Sequence, residues 1–178
     1  MPDAFVELRP FEQLFGPTVA GWVRDEAELF WLAPSTMPPL TAAKVIGWVK
    51  PGGRPLLLFR EGETLPGGYG ELNPLRGSTS RLWVGHVVLA PELRGQGLGK
   101  RFARLLIGEG FIDPHVERLV MVVFPENLPA LHCYRAAGFR VTVRERHRFQ
   151  PRGPEHVMLR LEITRAEAAR LPAAAEAQ

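Results

Sequence analysis

The sequence predicts an α/β fold of the α+β type in a single domain. The chain has 178 residues, 46% of them hydrophobic and 23% charged, which suits one globular unit with a sizeable core. Helical spacing of apolar residues prevails in 11–50, whereas short strand patterns prevail in 55–90. A glycine-rich turn at 94–100 then joins an apolar strand to an amphipathic helix.

The first part of the chain begins with a strand and continues as helices. Residues before Pro10 alternate between apolar and polar side chains, as in a half-buried strand that a proline ends. Thr41 is suited to cap a helix, because its hydroxyl can accept from a backbone amide of the first turn. The expected elements are a strand at 5–9, two helices within 11–30, a proline-rich loop at 34–39 and a helix at 42–49.

The remainder of the chain is predicted to form strands that enclose two longer helices. The run 119–124 is apolar throughout, which indicates a strand buried on both faces. Gly138 ends the second helix, and Thr164 with Glu167 has the spacing of a capping box. The expected elements are a hairpin of 55–60 with 68–72, strands at 82–90 and 119–124, helices from 98 and over 127–137, strands at 139–146 and 157–163, and a short helix before a frayed tail from 172.

Charge and composition narrow the classes of partner. The net charge is +3, but the arginines are scattered, which favours an anionic small ligand over nucleic acid. The densest basic stretch, 144–152, is interpreted as a solvated strand face, with a nucleic-acid surface as the less favoured alternative. The sequence has neither an uncharged apolar run of ~18 residues nor a basic leader with an apolar core. We therefore expect no nucleic-acid partner, no membrane partner and no signal peptide.

The cysteine and histidine content points away from disulfides and metals. Cys133 is the only cysteine, so an intrachain disulfide and a cysteine-only metal site are excluded, and a reducing cytoplasm fits. Four histidines lack the spacing of a metal site, so we expect none: His115, His132, His147 and His156.

The glycine-rich turn predicts an anion site. It runs Arg94-Gly-Gln-Gly-Leu-Gly-Lys100, and backbone amides at the start of a helix hold anions. A Rossmann fingerprint is excluded because its third glycine comes three residues after the second, whereas these glycines alternate. A P-loop is excluded because it has four residues between its glycines and a hydroxyl residue after its lysine, where this chain has Arg101.

Two segments carry a resemblance to a known family. The form Arg-x-x-Gly-x-Gly after an apolar strand resembles the pyrophosphate loop of the GNAT superfamily of acyl-CoA-dependent N-acetyltransferases. The segment 127–139, with Asn127, Ala130, Tyr134 and a final Gly-Phe, is similar to the second signature of that family. The resemblance covers 68–139 well, and the residues before it match only in the order of their elements.

The resemblance implies an architecture and a co-substrate. It implies a central, mixed and mostly antiparallel sheet of about seven strands with helices on both faces, over residues 1–163. Helices of 11–50 would face the acceptor and 82–139 would hold acetyl-CoA, with a short helix and flexible tail at 164–178. The implied acetyl-CoA contacts are Val87, Val88, Leu89, Arg94, Gly95, Gln96, Gly97, Leu98, Gly99, Lys100, Asn127 and Ala130.

The same resemblance supplies catalytic candidates for direct attack of an amine on the thioester. Tyr134 matches the family's usual general acid for the departing thiolate, with a core tyrosine as the alternative. The general base stays open between Glu71, His86 and water. A charged residue in an apolar strand suggests function, yet Glu71 can equally face solvent and His86 can be a satisfied core histidine. By strict alternation, His86 shares a face with Val84 and Val88.

The acceptor is expected to be a small-molecule or peptide amine, and the protein a monomer or homodimer. Two other functions stay open, a ribosomal-protein or peptide N-terminal acetyltransferase and a catalytically silent CoA-binding sensor or interaction module. A covalent route through Cys133 is disfavoured, because only His132 is near enough in sequence to activate it and it is expected on a different helix face from Tyr134. An aromatic and acidic set would suit a cationic amine: Trp22, Asp25, Glu26, Glu28, Phe30, Trp31 and Trp48.

Overall fold

Over residues 6–172, the part of the chain that the computed structural model describes, seven strands form one sheet. The strands are β1 (Val6–Pro10), β2 (Arg54–Arg60), β3 (Gly68–Pro74), β4 (Arg81–Leu89), β5 (Arg118–Val123), β6 (Arg140–Arg148) and β7 (Glu155–Thr164). The helices are α1 (Gly16–Gly21), α2 (Glu26–Leu32), α3 (Ala42–Trp48), α4 (Leu98–Gly110), α5 (Leu128–Ala137) and α6 (Arg165–Ala168). The predicted strand start at residue 5 and the predicted tail beyond 172 lie outside the described residues.

The sheet is mixed and mostly antiparallel, as predicted. Its order is β1-β2-β3-β4-β5-β7-β6, and only β4 and β5 run parallel to each other. A parallel pair needs a crossover, which α4 supplies between these two strands. The α+β fold and the helices on both faces are therefore confirmed.

Each face of the sheet carries its own core. Along β2 the side chains alternate, so that Leu56 and Leu58 join the core beneath α4 and α5, whereas Leu57 and Phe59 join the core beneath α1, α2 and α3. All four side chains are buried, and full burial of each such side chain stabilises the fold by ~1.5–3 kcal/mol. The sheet thus separates two cores, and one group of helices packs on each of its faces.

The helix ends follow signals in the sequence. Thr41 caps α3 by accepting from the Lys44 amide at 3.4 Å, and Thr164 begins α6 in a full capping box with Glu167. Asp25 caps α2, accepting from the Glu28 amide at 2.8 Å. No helix in the described part of the chain is long and apolar enough to cross a membrane.

Two irregularities of β4 shape the site. Its ladder to β5 covers only residues 81–83 and 118–120, although β4 continues to Leu89 and β5 to Val123. A gap therefore opens between the two strands. In the ladder to β3, Tyr69 pairs with Val88 but Glu71 pairs with Gly85, so one extra residue bulges from β4.

The bulge makes the expected orientation of His86 wrong. Val84 belongs to the core beneath α4 and α5, whereas Val88 packs against the core beneath α1 to α3. His86 cannot share a face with both, because the extra residue resets the alternation of side chains within the strand. His86 has φ 47°, the left-handed region, and its ring stacks on Trp48 of α3.

Candidate active site

A cavity of about 1150 Å³ occupies the gap between β4 and β5. The start of α4, the inner face of α5, and residues from α2 and α3 complete its walls. Most of the predicted site residues line it: His86, Val87, Val88, Leu89, Arg94, Gly95, Gly97, Gly99, Lys100, Asn127, Ala130 and Tyr134. Segments far apart in sequence therefore meet at one site, as the two motifs predicted.

Three predicted residues take other places. The side chain of Gln96 donates to the carbonyl of Glu92 at 2.6 Å, and Leu98 packs against the core beneath α4. Glu71 is only 1% exposed and lies behind His86. The predicted contribution of Gln96 and Leu98 is thus limited to their backbone amides, and the solvent-facing alternative for Glu71 is wrong.

The turn before α4 exposes backbone rather than side chains. Gly95 has φ 73° and Gly97 has φ 78°, conformations in which most L residues are strained. Gly97 is the N-cap of α4 and offers no side-chain acceptor, so the first amides of the helix are left for another partner. The positive end of the helix dipole points the same way, which favours an anion here.

Arg94 fixes the turn to the rest of the molecule. Its guanidinium donates to the carbonyls of Leu89 (3.0 Å) and Trp22 (2.8 Å) and to the carboxylate of Glu28 (2.8 Å). These bonds give direct geometric support to a role of Arg94 in shaping the loop. The side chain joins the glycine turn to α2 across the mouth of the cavity.

The helix α5 presents the second predicted set. The side chain of Asn127 accepts from the Ala130 amide at 3.3 Å, so this residue is a helix cap and also lines the cavity. Tyr134 is 9% exposed, and burial raises the pKa of its phenol. The hydroxyl is therefore protonated throughout the neutral range.

Cys133 also lines the cavity, although it follows its own direction around α5, about 100° from the adjacent Tyr134. Its sulfur faces α4, because a Cβ on Gly99 would stand 3.0 Å from it. Burial raises the pKa of the thiol to about 11, so it is uncharged at neutral pH. The residue is near the chemistry but is not an activated nucleophile.

Glu71 and His86 form one hydrogen-bonded unit. The Nδ1 atom of His86 lies 2.9 Å from Oε1 of Glu71. Tyr69 donates to the same oxygen at 2.6 Å, and Asn73 donates to Oε2 at 2.8 Å. Burial alone would raise the pKa of Glu71, but the bonds from His86, Tyr69 and Asn73 outweigh it and lower that pKa.

This unit leaves His86 facing the cavity. A carboxylate at Nδ1 favours the tautomer with hydrogen on Nδ1, so Nε2 carries the free lone pair. The imidazole is held from the side by Trp48, with ring centroids 4.3 Å apart and planes 11° from parallel. A left-handed conformation at a non-glycine residue is strained, and such strain is common at functional sites. His86 is bonded through Nδ1 as the core alternative expects, but its side chain is 24% exposed at the cavity rather than fully buried.

The acidic set predicted to attract a cationic amine does not assemble. Asp25 is the cap of α2, and Glu28 is bonded to both Arg24 and Arg94. Trp22 is buried in the core, whereas Trp31 and Trp48 do line the cavity. The carboxylates of Asp25 and Glu28 are thus already bonded within the protein, which the composition of the segment could not show.

Several lining residues were not predicted from the sequence. Trp83 lies against Gly85, whose Cβ would stand only 2.6 Å from the Trp83 Nε1 atom, and Phe149 follows β6. Glycine within a strand is a known sign of a bulge or a close approach, so Gly85 was the available signal. Lys50, His147 and Met158 are further lining residues of this kind. Within residues 6–172, no three His, Cys, Asp or Glu residues come together to hold a metal ion.

Comparison with known proteins identifies the family. The model of the acetyltransferase (GNAT) family matches residues 8–139, well over half of the chain. This chain belongs to the GNAT family. Among curated relatives, spermidine N(1)-acetyltransferase of Escherichia coli (strain K12) is 36% identical over 63 residues, which are 35% of this chain and 34% of that protein. A kanamycin resistance protein of Rhizobium radiobacter is 42% identical over 45 residues, 25% of this chain and 42% of that protein.

Solved structures extend the likeness of fold to nearly the whole GNAT chain. The aminoglycoside acetyltransferase AAC(6′)-Ib, in complex with ribostamycin and coenzyme A, superposes with a TM-score of 0.76 at 22% identity, covering 94% of this chain and 98% of that one. Spermidine N-acetyltransferase of Vibrio cholerae, with CoA and spermine, gives 0.75 at 15% identity, covering 92% and 98%. The chain spans about a third of the E. coli relative (34%), so similarity of sequence is confined to part of the molecule.

Proposed function

We propose that this protein transfers the acetyl group of acetyl-CoA to a primary amine, by direct attack within a complex of both substrates. The observation that carries the proposal is the continuous cavity, which joins the amide turn before α4, the gap beside β4 and the His86 unit. Solved structures of the same fold hold CoA or acetyl-CoA, and the partial relatives are named for spermidine and kanamycin, which are amines.

The pyrophosphate of acetyl-CoA would lie on the amides of 95–100. The positive φ angles of Gly95 and Gly97 support this role, because they turn backbone amides outward at a helix start. Lys100 lines the same wall and adds positive charge. The pantetheine arm would follow the edge of β4 at 87–89, which has no ladder partner in β5 there, and reach Asn127 and Ala130. A backbone amide of that edge would polarise the thioester carbonyl.

The reaction then needs a base for the amine and an acid for the thiolate. The amine lone pair forms the C–N bond at the carbonyl carbon, and the C–S bond breaks with its electron pair left on sulfur. Tyr134 would donate its phenolic proton to that sulfur, which its raised pKa supports by keeping it protonated until a basic thiolate forms. The proton lost by the amine goes to a base that lines the same cavity.

His86 is the base that the geometry supports best. Its ring lines the cavity, and Nε2 would carry the lone pair when Nδ1 bonds Glu71, which is almost fully buried. We therefore propose His86 as the catalytic base and Glu71 as a positioning residue that fixes its tautomer. The two candidates from the sequence act together rather than as alternatives.

Thiol release from acetyl-CoA in the presence of a panel of primary amines tests the proposal. We expect amine-dependent turnover, with kcat reduced about 100-fold in Tyr134→Phe and the Kd of CoA changed by less than about twofold. Binding without turnover of any amine would support the silent CoA-binding module instead. Full activity of Tyr134→Phe would remove its role as the acid.

A further inference from the structure

The acceptor end of the cavity has mainly aromatic walls. Trp48 stacks on His86, and the Trp83 indole lies over Gly85, the residue next to His86 in β4. Phe149 lines the same cavity and is held in a ring cluster with Phe124, their centroids 5.9 Å apart. We call Trp48, Trp83 and Phe149 the aromatic end. Such walls offer a ligand apolar contact and cation–π attraction for one ammonium group, but no carboxylate to balance further positive charges.

The charged residues of the cavity lining disfavour binding of a polycation. Glu28 is the only carboxylate among the lining residues of 6–172. Its Oε1 accepts from Arg24 at 2.7 Å and from Arg94 at 2.8 Å, and its Oε2 accepts from the Arg24 amide at 3.0 Å. Lys50 lines the cavity and adds positive charge. The carboxylate is thus already neutralised, and the lining carries a net positive charge.

Each ammonium group of a polyamine or an aminoglycoside needs a counter-charge when it leaves water. One ammonium group can be accommodated, because the attacking nitrogen must lose a proton to His86 before it reacts. Further ammonium groups of the same molecule would meet indoles, Lys50 and a carboxylate that two arginines hold. Such a ligand is therefore disfavoured relative to one with a single amine.

We infer, resting on the proposed function, that the acceptor is a small primary monoamine with an aromatic or branched aliphatic body. Its amine lies at His86, and its body packs against the aromatic end. This class differs from the substrates for which the spermidine and kanamycin relatives are named. The difference follows from the aromatic end, whose residues lie outside the two motifs that carry the family resemblance.

Two measurements on the full chain test this inference. The first is binding of phenethylamine, isoamylamine, spermidine, kanamycin and a short peptide with a free N-terminus to the CoA-saturated protein, by calorimetry. The second is kcat/KM for the same compounds by thiol release. We expect phenethylamine to exceed spermidine by at least about tenfold in both affinity and kcat/KM at matched ionic strength.

The outcomes separate the inference from the proposed function. Preferred binding of monoamines without turnover would support the inference and overturn the proposed function. Turnover with spermidine, kanamycin or the peptide preferred would support acetyl transfer and overturn the inference. Absence of binding by every amine would overturn both.

Substitution of Lys50 tests the electrostatic part with a matched control. Lys50→Glu should raise the ratio of kcat/KM for spermidine over phenethylamine at least about threefold above that of Lys50→Gln, because only the former adds a negative charge. Lys50 is exposed and belongs to neither core, so both variants should fold. An equal ratio in the two variants would contradict the role of lining charge in selecting the acceptor.

Discussion

The two ends of the cavity are built by different means. The end proposed to hold acetyl-CoA is formed by backbone amides of 95–100 and one face of α5, and each of these segments is continuous in sequence. The acceptor end uses side chains that come from α2, α3, β3, β4 and the residue after β6. One end therefore depends on the conformation of a short turn, and the other depends on how distant elements pack.

This difference sets how each end responds to substitution. Recognition through amides tolerates many side chains but fails when a residue cannot adopt the required φ angle. Recognition through packed side chains weakens gradually, because each contact contributes only part of the binding free energy. The expected effects of the following variants fall in that order.

Gly97→Val should have the largest effect. A β-branched residue at φ 78° is strained, so the turn relaxes and loses its amide geometry. We expect acetyl-CoA affinity, measured by calorimetry, to fall more than about 100-fold. Gly62→Val is the matched control, because Gly62 also has φ 78° and open space around it but lies in the turn between β2 and β3. Equal affinities in the two variants would contradict the assigned turn.

His86→Gln should lower kcat about 100-fold without a comparable change in CoA affinity. Glu71→Gln should lower kcat about tenfold with little change in the KM for acetyl-CoA, because the carboxylate that holds Nδ1 of His86 is gone. Steady-state rates over both substrates measure the two effects.

Glu162→Gln is the control for this pair, because Glu162 is also a buried strand carboxylate but bonds Arg118 at 2.7 Å away from the cavity. It should lose stability in urea unfolding and keep the native kcat. A fall in kcat in Glu162→Gln as large as that in Glu71→Gln would show that the Glu71 effect is not specific.

Arg94→Ala should have an intermediate effect, felt at both ends. The change removes the bonds to Leu89, Trp22 and Glu28 that join the glycine turn to α2. We expect KM for acetyl-CoA and for the amine to rise about tenfold each in steady-state assays. Arg24→Ala removes another partner of Glu28, but its side chain is 65% exposed, so we expect less than about a twofold change. A similar rise in Arg24→Ala would assign the effect to Glu28 rather than to the tether.

Cys133→Ala should have the smallest effect. With the pKa of the thiol raised to about 11, the thiolate population grows only as pH rises toward that value. We expect kcat within about twofold of native, and alkylation by iodoacetamide at pH ~8 to be at least about tenfold slower than for free cysteine. Intersecting initial-rate lines should accompany this result, whereas parallel lines with an acetylated Cys133 in the intact mass would establish a covalent route.

The sequence predicted the acetyl-CoA end closely, because its signals are local. Gly97, Asn127 and Tyr134 are placed by a turn, a cap and a helix period, none of which needs knowledge of distant contacts. The order and type of the strands were predicted for the same reason. The assigned roles of these residues in binding and catalysis stay predictions.

The acceptor end was predicted in part, for reasons that lie in tertiary structure. Strict alternation failed at His86, since one bulged residue changes the face of every side chain after it. The burial of Glu71 depends on Tyr69 and Asn73 beside it and on a partner from the next strand. The loss of Glu28 as a free carboxylate depends on Arg94, which is distant in sequence.

The bulge at His86 also makes β4 two strands in effect, each with its own phase. Before the bulge, Val84 faces the core beneath α4 and α5. After it, Val88, which strict alternation would place on the same face, packs against the core beneath α1 to α3. Removal of a single residue at this point would bring the whole strand into one phase, moving the side chains of 87–89 to the opposite faces of the sheet while the imidazole leaves Glu71. A one-residue deletion here would therefore alter the cavity wall at both proposed binding sites. The same deletion in the exposed turn at 61–63 would only shorten a loop.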